Sequence, residues 1–157
     1  MDDNSPNADE MRKLNNCTLE NTPRFSMKGR YKCKVLEIVD GDTFRGGIVF
    51  HGSVSIFTFR IYGINAPEMK PRLIIKDRLN VIRKAKLAKE RLSSLIFNKF
   101  CVVDVISFDS FGRLVSTVIS DGRSVGDQLL QEGFAEKFLF TERHTRVSIV
   151  KVSNSTT

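Results

Sequence analysis

From Tyr31 to Ile64 three β-forming runs follow one another with only short turns between them, and no other feature limits the fold as tightly. "YKCKVLEIVD" (Tyr31 to Asp40) passes into "TFRGGIVFHG" (Thr43 to Gly52) through a Gly-Asp turn, which is a hairpin signal. "SVSIFTFRIYGI" (Ser53 to Ile64) then alternates through Val54 and Ile56 and adds the aromatic β-formers Phe57 and Phe59. Strands joined this closely form an antiparallel meander. The start of the second strand and the end of the third then lie at one edge.

The period changes after that. In "DRLNVIRKAKLAKERLSSLIFN" (Asp77 to Asn98), Leu79, Ile82, Ala85, Leu92, Leu95 and Ile96 recur at steps of three and four, which predicts an amphipathic helix. Its outer face carries Arg78, Arg83, Lys84, Lys86, Lys89 and Arg91, either a solvated exterior or a contact for a phosphate backbone. Two further strands, "FCVVDVISF" and "RLVSTVIS", are joined by the turn "DSFG" (Asp109 to Gly112). "SVGDQLLQEGF" predicts a short helix with Gly133 as its C-cap, and "RVSIVKV" from Arg146 offers one more weak strand. The order predicts an α+β, mainly β fold. Five strands with a helix between the third and fourth are the elements of an OB-type Greek-key barrel with two or three helices, although the count also permits other small barrels.

A chain of 157 residues holds one core of ordinary size. Residues 1–27, rich in Asn, Asp, Ser and Pro, are expected to form a mobile arm, residues 28–150 the domain, and residues 151–157 a flexible tail. Cys17, Cys33 and Cys101 are odd in number and lack metal-ligand spacing, so reduced thiols are expected. The polar, acidic start lacks the basic and apolar regions of a signal peptide, and no run reaches membrane-spanning length. An intracellular, cytoplasmic monomer with no membrane partner is expected. The net charge of +7 and pI near 9.5 make polyanions the first partners to consider.

Asp40 and Asp42 flank Gly41 at the first turn. Asp40 reads as a turn residue, whereas Asp42 opens a strand, where a carboxylate has no local purpose. In "GINAPE", Asn65 and Glu68 flank a turn set by Pro67. If the two turns meet, Asp42, Asn65 and Glu68 converge, and such oxygen donors suit a hard cation such as Ca²⁺ rather than zinc or copper. Arg60 stands in an otherwise apolar, aromatic strand, a costly place for a guanidinium unless it faces a polar cleft. Arg113 heads the strand after "DSFG". Either arginine can be half of a structural ion pair. Together, beside a cation and a carboxylate, they match what phosphodiester cleavage requires as charge grows on phosphorus.

The motifs "VDGDTF", "FRIYGINAPE", "DSFGRLV" and "LLQEGFAE", in that order, resemble the staphylococcal nuclease-like, or thermonuclease, domains over Tyr31 to Phe138. That resemblance implies an OB-type five-stranded barrel and a calcium-dependent nuclease acting on DNA, RNA or both. It places Asp42, Asn65 and the carbonyl of Ala66 as metal ligands and Glu68 as the group that activates water. Arg60 and Arg113 fall where the family grips phosphate. Three departures stand out. Asn65 occupies a position usually held by Asp, Ser110-Phe111 replaces a Lys-Tyr pair, and Phe138 and Phe140 stand as candidate stacking faces. The missing charge at Asn65 keeps open an alternative, a nucleic-acid-binding module with weak or no catalysis.

Overall fold

The computed structural model describes residues 5–143 and 146–151, with side-chain environments through residue 139. In chain order the elements are α1 (Ala8–Asn15), β1 (Gly29–Asp40), β2 (Thr43–Phe50), β3 (Ser53–Ile61), β4 (Ile64–Asn65), α2 (Arg78–Ile96), β5 (Phe100–Phe108), β6 (Leu114–Ser120), β7 (Arg123–Ser124), α3 (Val125–Gln131), β8 (Glu136–Arg143) and β9 (Arg146–Lys151). The main sheet runs β3-β2-β1-β5-β6-β7, and a parallel pairing of β3 with β6 closes it into a five-stranded barrel. The OB-type α+β expectation holds. β4, β8 and β9 form a second, smaller sheet.

The barrel closes because its inward residues alternate with outward ones and are large. Phe44 and Phe59 face each other across the β2–β3 ladder and stack with ring centroids 5.0 Å apart; neither has measurable exposure. Such a pair contributes about 0.5–1.5 kcal/mol beyond its burial. Val35, Ile48, Ile61, Val103, Leu114 and Val118 complete the interior. Cys33 and Cys101 sit opposite each other on β1 and β5 as buried free thiols, and Cys17 is an exposed one.

Helix α2 covers the barrel through a narrow stripe of Ala85, Ala88, Leu92 and Ile96. Leu79 departs from the periodicity-based expectation: it is exposed, because the first turn of α2 extends past the barrel. At the end of α3 the N–H of Gly133 donates to the carbonyl of Leu130 and that of Phe134 to the carbonyl of Leu129, with Gly133 at φ +78°. This is a Schellman stop, and only glycine takes that backbone without strain. Arg91 of α2 then grips Glu132 through two hydrogen bonds of 2.6 and 2.8 Å, fastening the two helices together.

Elements the sequence did not signal are α1, the two-residue strands β4 and β7, and β8. None of α1 is buried, and a capping box between Asn7 and Glu10 holds its first turn. Met27, within the stretch assigned to the arm, is buried in the core, and Tyr31 Oη donates to its carbonyl at 2.9 Å. The side chain of Phe140 and the tail at residues 152–157 lie outside the described residues.

Gly41 is small for a packing reason. A Cβ there would meet Ala88 Cβ at 2.6 Å and Ala66 Cβ at 2.8 Å, so the first turn is pressed between α2 and the second turn. Gly41→Ala is therefore expected to destabilise the fold by about 1–3 kcal/mol in urea denaturation. Unchanged stability would show that the two turns are not in close contact.

Candidate active site at the barrel seam

Strand register builds the site. Thr43 opens β2 directly opposite Arg60 of β3, and the N–H of Ile61 donates to the carbonyl of Asp42 at 2.9 Å, so Asp42 lies beside Arg60. The barrel seam pairs Phe59 with Leu114 and Arg60 with Val115, which places Arg113, one residue earlier, next to β3. The last residues of β3 lead through Gly63 into Asn65 and Ala66. Three separate parts of the chain thus arrive at one rim.

There the Asp42 carboxylate, only 7% exposed, joins the two turns. One of its oxygens, Oδ2, accepts the Ala66 N–H at 2.7 Å and faces Arg60 Nη2 at 3.4 Å, while Oδ1 accepts the Thr43 hydroxyl at 2.8 Å. Arg60 is buried as well, donating through Nη1 to the Ile61 carbonyl at 2.9 Å and through Nη2 to Asn65 Oδ1 at 3.3 Å. Burial lowers the pKa of Arg60, the Asp42 charge raises it, and Arg113 lowers it again. Each guanidinium disfavours the charge of the other, a repulsion that an anion between them would relieve.

Arg113 is held by Asp109. Asp109 Oδ1 accepts the backbone N–H groups of Phe111 and Arg113, each at 2.9 Å, and Oδ2 accepts Arg113 Nε at 2.6 Å. Those bonds leave the terminal nitrogens of Arg113 available to a second oxyanion. Its guanidinium lies 5.3 Å from the Phe111 ring centroid. Phe111 itself is exposed.

A cavity of about 860 Å³ gathers these groups, lined by Asp40, Asp42, Arg60, Asn65, Ala66, Glu68, Arg113 and Phe111 among others. Asp42, Arg60, Asn65, Ala66, Glu68 and Arg113, the metal and phosphate candidates read from the sequence, all line this one space. Phe138, a candidate stacking face, is not among its lining residues. Asp40 was assigned to turn geometry alone, yet it also lines the cavity, as do Met69, Lys70 and Lys89. Lys89 was read only as one of six cations on the outer face of α2, and nothing in the sequence set it apart from the other five. Asp109 was legible only as a turn residue, although an Asp ahead of a Gly turn commonly binds backbone N–H groups.

The available donors are oxygens, which suit a hard cation. Among the described residues no group of three or more His, Cys, Asp or Glu side chains is placed to hold a metal ion. A cation here would therefore depend on the Asn65 amide oxygen and the Ala66 carbonyl as well as on Asp42. The chemistry fits, with little ligand charge.

Fold and cleft together define a small closed barrel whose seam presents two arginines and several carboxylates to a shared cavity. A family model described as staphylococcal nuclease homologue matches residues 58–154, and the chain belongs to that family. Membership supports a nuclease or nucleic-acid-binding fold. The match includes Arg60, Asn65, Ala66, Glu68 and Arg113 but begins after Asp42, which β2–β3 pairing brings to them. Comparison with curated proteins finds no match. Among the described residues no helix is long and apolar enough to cross a membrane.

Asp40 offers a direct check on the cleft's electrostatics. Burial raises its pKa above the ordinary 3.8, and the charges of Asp42 and Glu68 raise it further against the opposing effects of Lys89 and the Met69 backbone. A carboxyl whose pKa is raised by folding destabilises the fold once ionised. That cost is absent below the unfolded pKa and grows as pH rises through the folded one. Asp40→Asn should therefore raise the melting temperature at about pH 7 and leave it unchanged at about pH 3. A lower melting temperature at neutral pH would contradict this.

Proposed function

We propose that this protein is a metal-dependent phosphodiesterase that hydrolyses DNA, RNA or both. The observation that carries the proposal is the cavity shared by Arg60, Arg113 and Glu68. A phosphodiester seated between the two guanidiniums would receive hydrogen bonds on its non-bridging oxygens, and these strengthen as charge accumulates at phosphorus. Glu68 is exposed at the cavity wall, where water reaches it. Its carboxylate takes a proton from the water that attacks phosphorus in line with the leaving oxygen. Arg60 is held by Asp42 and the Ile61 carbonyl and Arg113 by Asp109, which fixes both guanidiniums before a substrate arrives.

Asp42, Asn65 and the Ala66 carbonyl would hold a divalent cation, Ca²⁺ first. When bound, that ion supplies positive charge to the same phosphate. The expected partner is nucleic acid, with the chain acting as a monomer.

A second reading has its own support. Asn65 replaces a charged ligand and turns its Oδ1 toward Arg60, an arrangement that suits a binding module without turnover. That module would bind oligonucleotides in chelator, with affinity falling as salt rises.

An oligonucleotide cleavage assay separates the two. The purified protein is expected to cut single-stranded DNA with Ca²⁺ and to stop when chelator is added. Glu68→Gln should retain binding and lose about 10²–10⁴-fold in rate. Absence of cutting with every divalent ion tried would reject the enzyme. For the cation itself, Asn65→Asp should tighten Ca²⁺ binding in calorimetry by restoring ligand charge. No gain would remove Asn65 from the metal.

A further inference from the structure

The chain leaving Glu68 does not return directly to the barrel. Met69 and Lys70 line the cavity, Pro71 is buried, and Arg78 Nε donates to the Pro71 carbonyl at 3.2 Å, closing the base of a loop. At the tip the Ile75 N–H donates to the Arg72 carbonyl at 3.1 Å. Leu73 and Ile74 stand 85% and 86% exposed there, and Leu79 nearby in sequence is 81% exposed. Lys70, Arg72, Lys76 and Arg78 surround them in sequence, with Asp77 the one acid in that stretch. Single exposed apolar residues are ordinary, but two adjacent branched aliphatics at a loop tip between cations invite a ligand that is both apolar and anionic.

Nucleic acid has that chemistry, with apolar base faces between charged phosphates. We propose that residues 70–78 form a wedge, Leu73 and Ile74 entering between bases of the strand gripped at Arg60 and Arg113 while the flanking cations meet neighbouring phosphates. This rests on the phosphodiester reading of the cavity. Continuity favours nucleic acid over an anionic membrane, since the loop begins as a wall of the cleft. Leu73 is five chain steps beyond Glu68, a reach of at most about 18 Å. At about 3.4 Å per phosphate along a duplex strand that reach covers about five nucleotides, and fewer along an extended single strand.

Leucine and isoleucine offer bases no hydrogen bonds, so the wedge separates them without reading their sequence. Unstacking costs least where a strand is already unpaired.

The full chain is tested in chelator with a single-stranded DNA oligonucleotide carrying 2-aminopurine, whose fluorescence rises when its base is unstacked. Wild type should bind and raise the signal about twofold or more. L73S/I74S should bind about tenfold more weakly, with no rise and an unchanged melting temperature. L73F/I74F, which keeps apolar bulk, should retain the rise. Binding with no rise in wild type, or an equal rise in L73S/I74S, overturns the wedge and leaves the phosphodiester reading standing. No salt-dependent DNA binding by wild type overturns that reading as well. Co-sedimentation of wild type, but not of L73S/I74S, with phosphatidylserine vesicles would assign the tip to a lipid surface instead and overturn the wedge.

Discussion

The Asp42 carboxylate is the interaction on which the site depends. It is buried, accepts the Ala66 N–H and the Thr43 hydroxyl, and faces a buried guanidinium at 3.4 Å. Removing one member of a buried ion pair costs about 3–5 kcal/mol, because the other charge is left without a partner. Desolvation consumes much of what the pair gains, so its main consequence is geometric. It fixes the turn after β1 against the turn after β3 and aims Arg60 at the cleft.

The geometry has a backbone origin. Hairpin register puts Asp42 beside Arg60, and the parallel seam puts Arg113 beside the same strand. A slip of one residue in either pairing would turn these side chains to the other face. The stacked Phe44–Phe59 pair lies next to Thr43 and Arg60 on the inner face, and thereby pins the register on which the outer face relies. Core packing and site assembly are thus the two faces of one ladder.

Much of this was legible in the sequence. Successive β runs and two turn motifs announced the meander, and an arginine in an aromatic strand announced the cleft. Contacts that depend on close approach were not. Gly41 read as a turn residue, yet its missing side chain makes room for Ala88 and Ala66. Asp40 read likewise, because its proximity to Glu68 of the second turn and to Lys89 of α2 exists only in the assembled fold. Short strands such as β4 and β7 carry too few residues to show a period. Leu73 and Ile74 lie between the second turn and the predicted helix, in a stretch too short to show a period, so nothing in the sequence marks their exposure.

The central claim is that Arg60 and Arg113 face one phosphate. NMR observation of their side-chain Nε–Hε groups during titration with a single-stranded oligonucleotide in chelator tests it most directly. Both resonances should move together and saturate at one midpoint. Movement of only one, or of neither while the oligonucleotide binds elsewhere, would contradict the account.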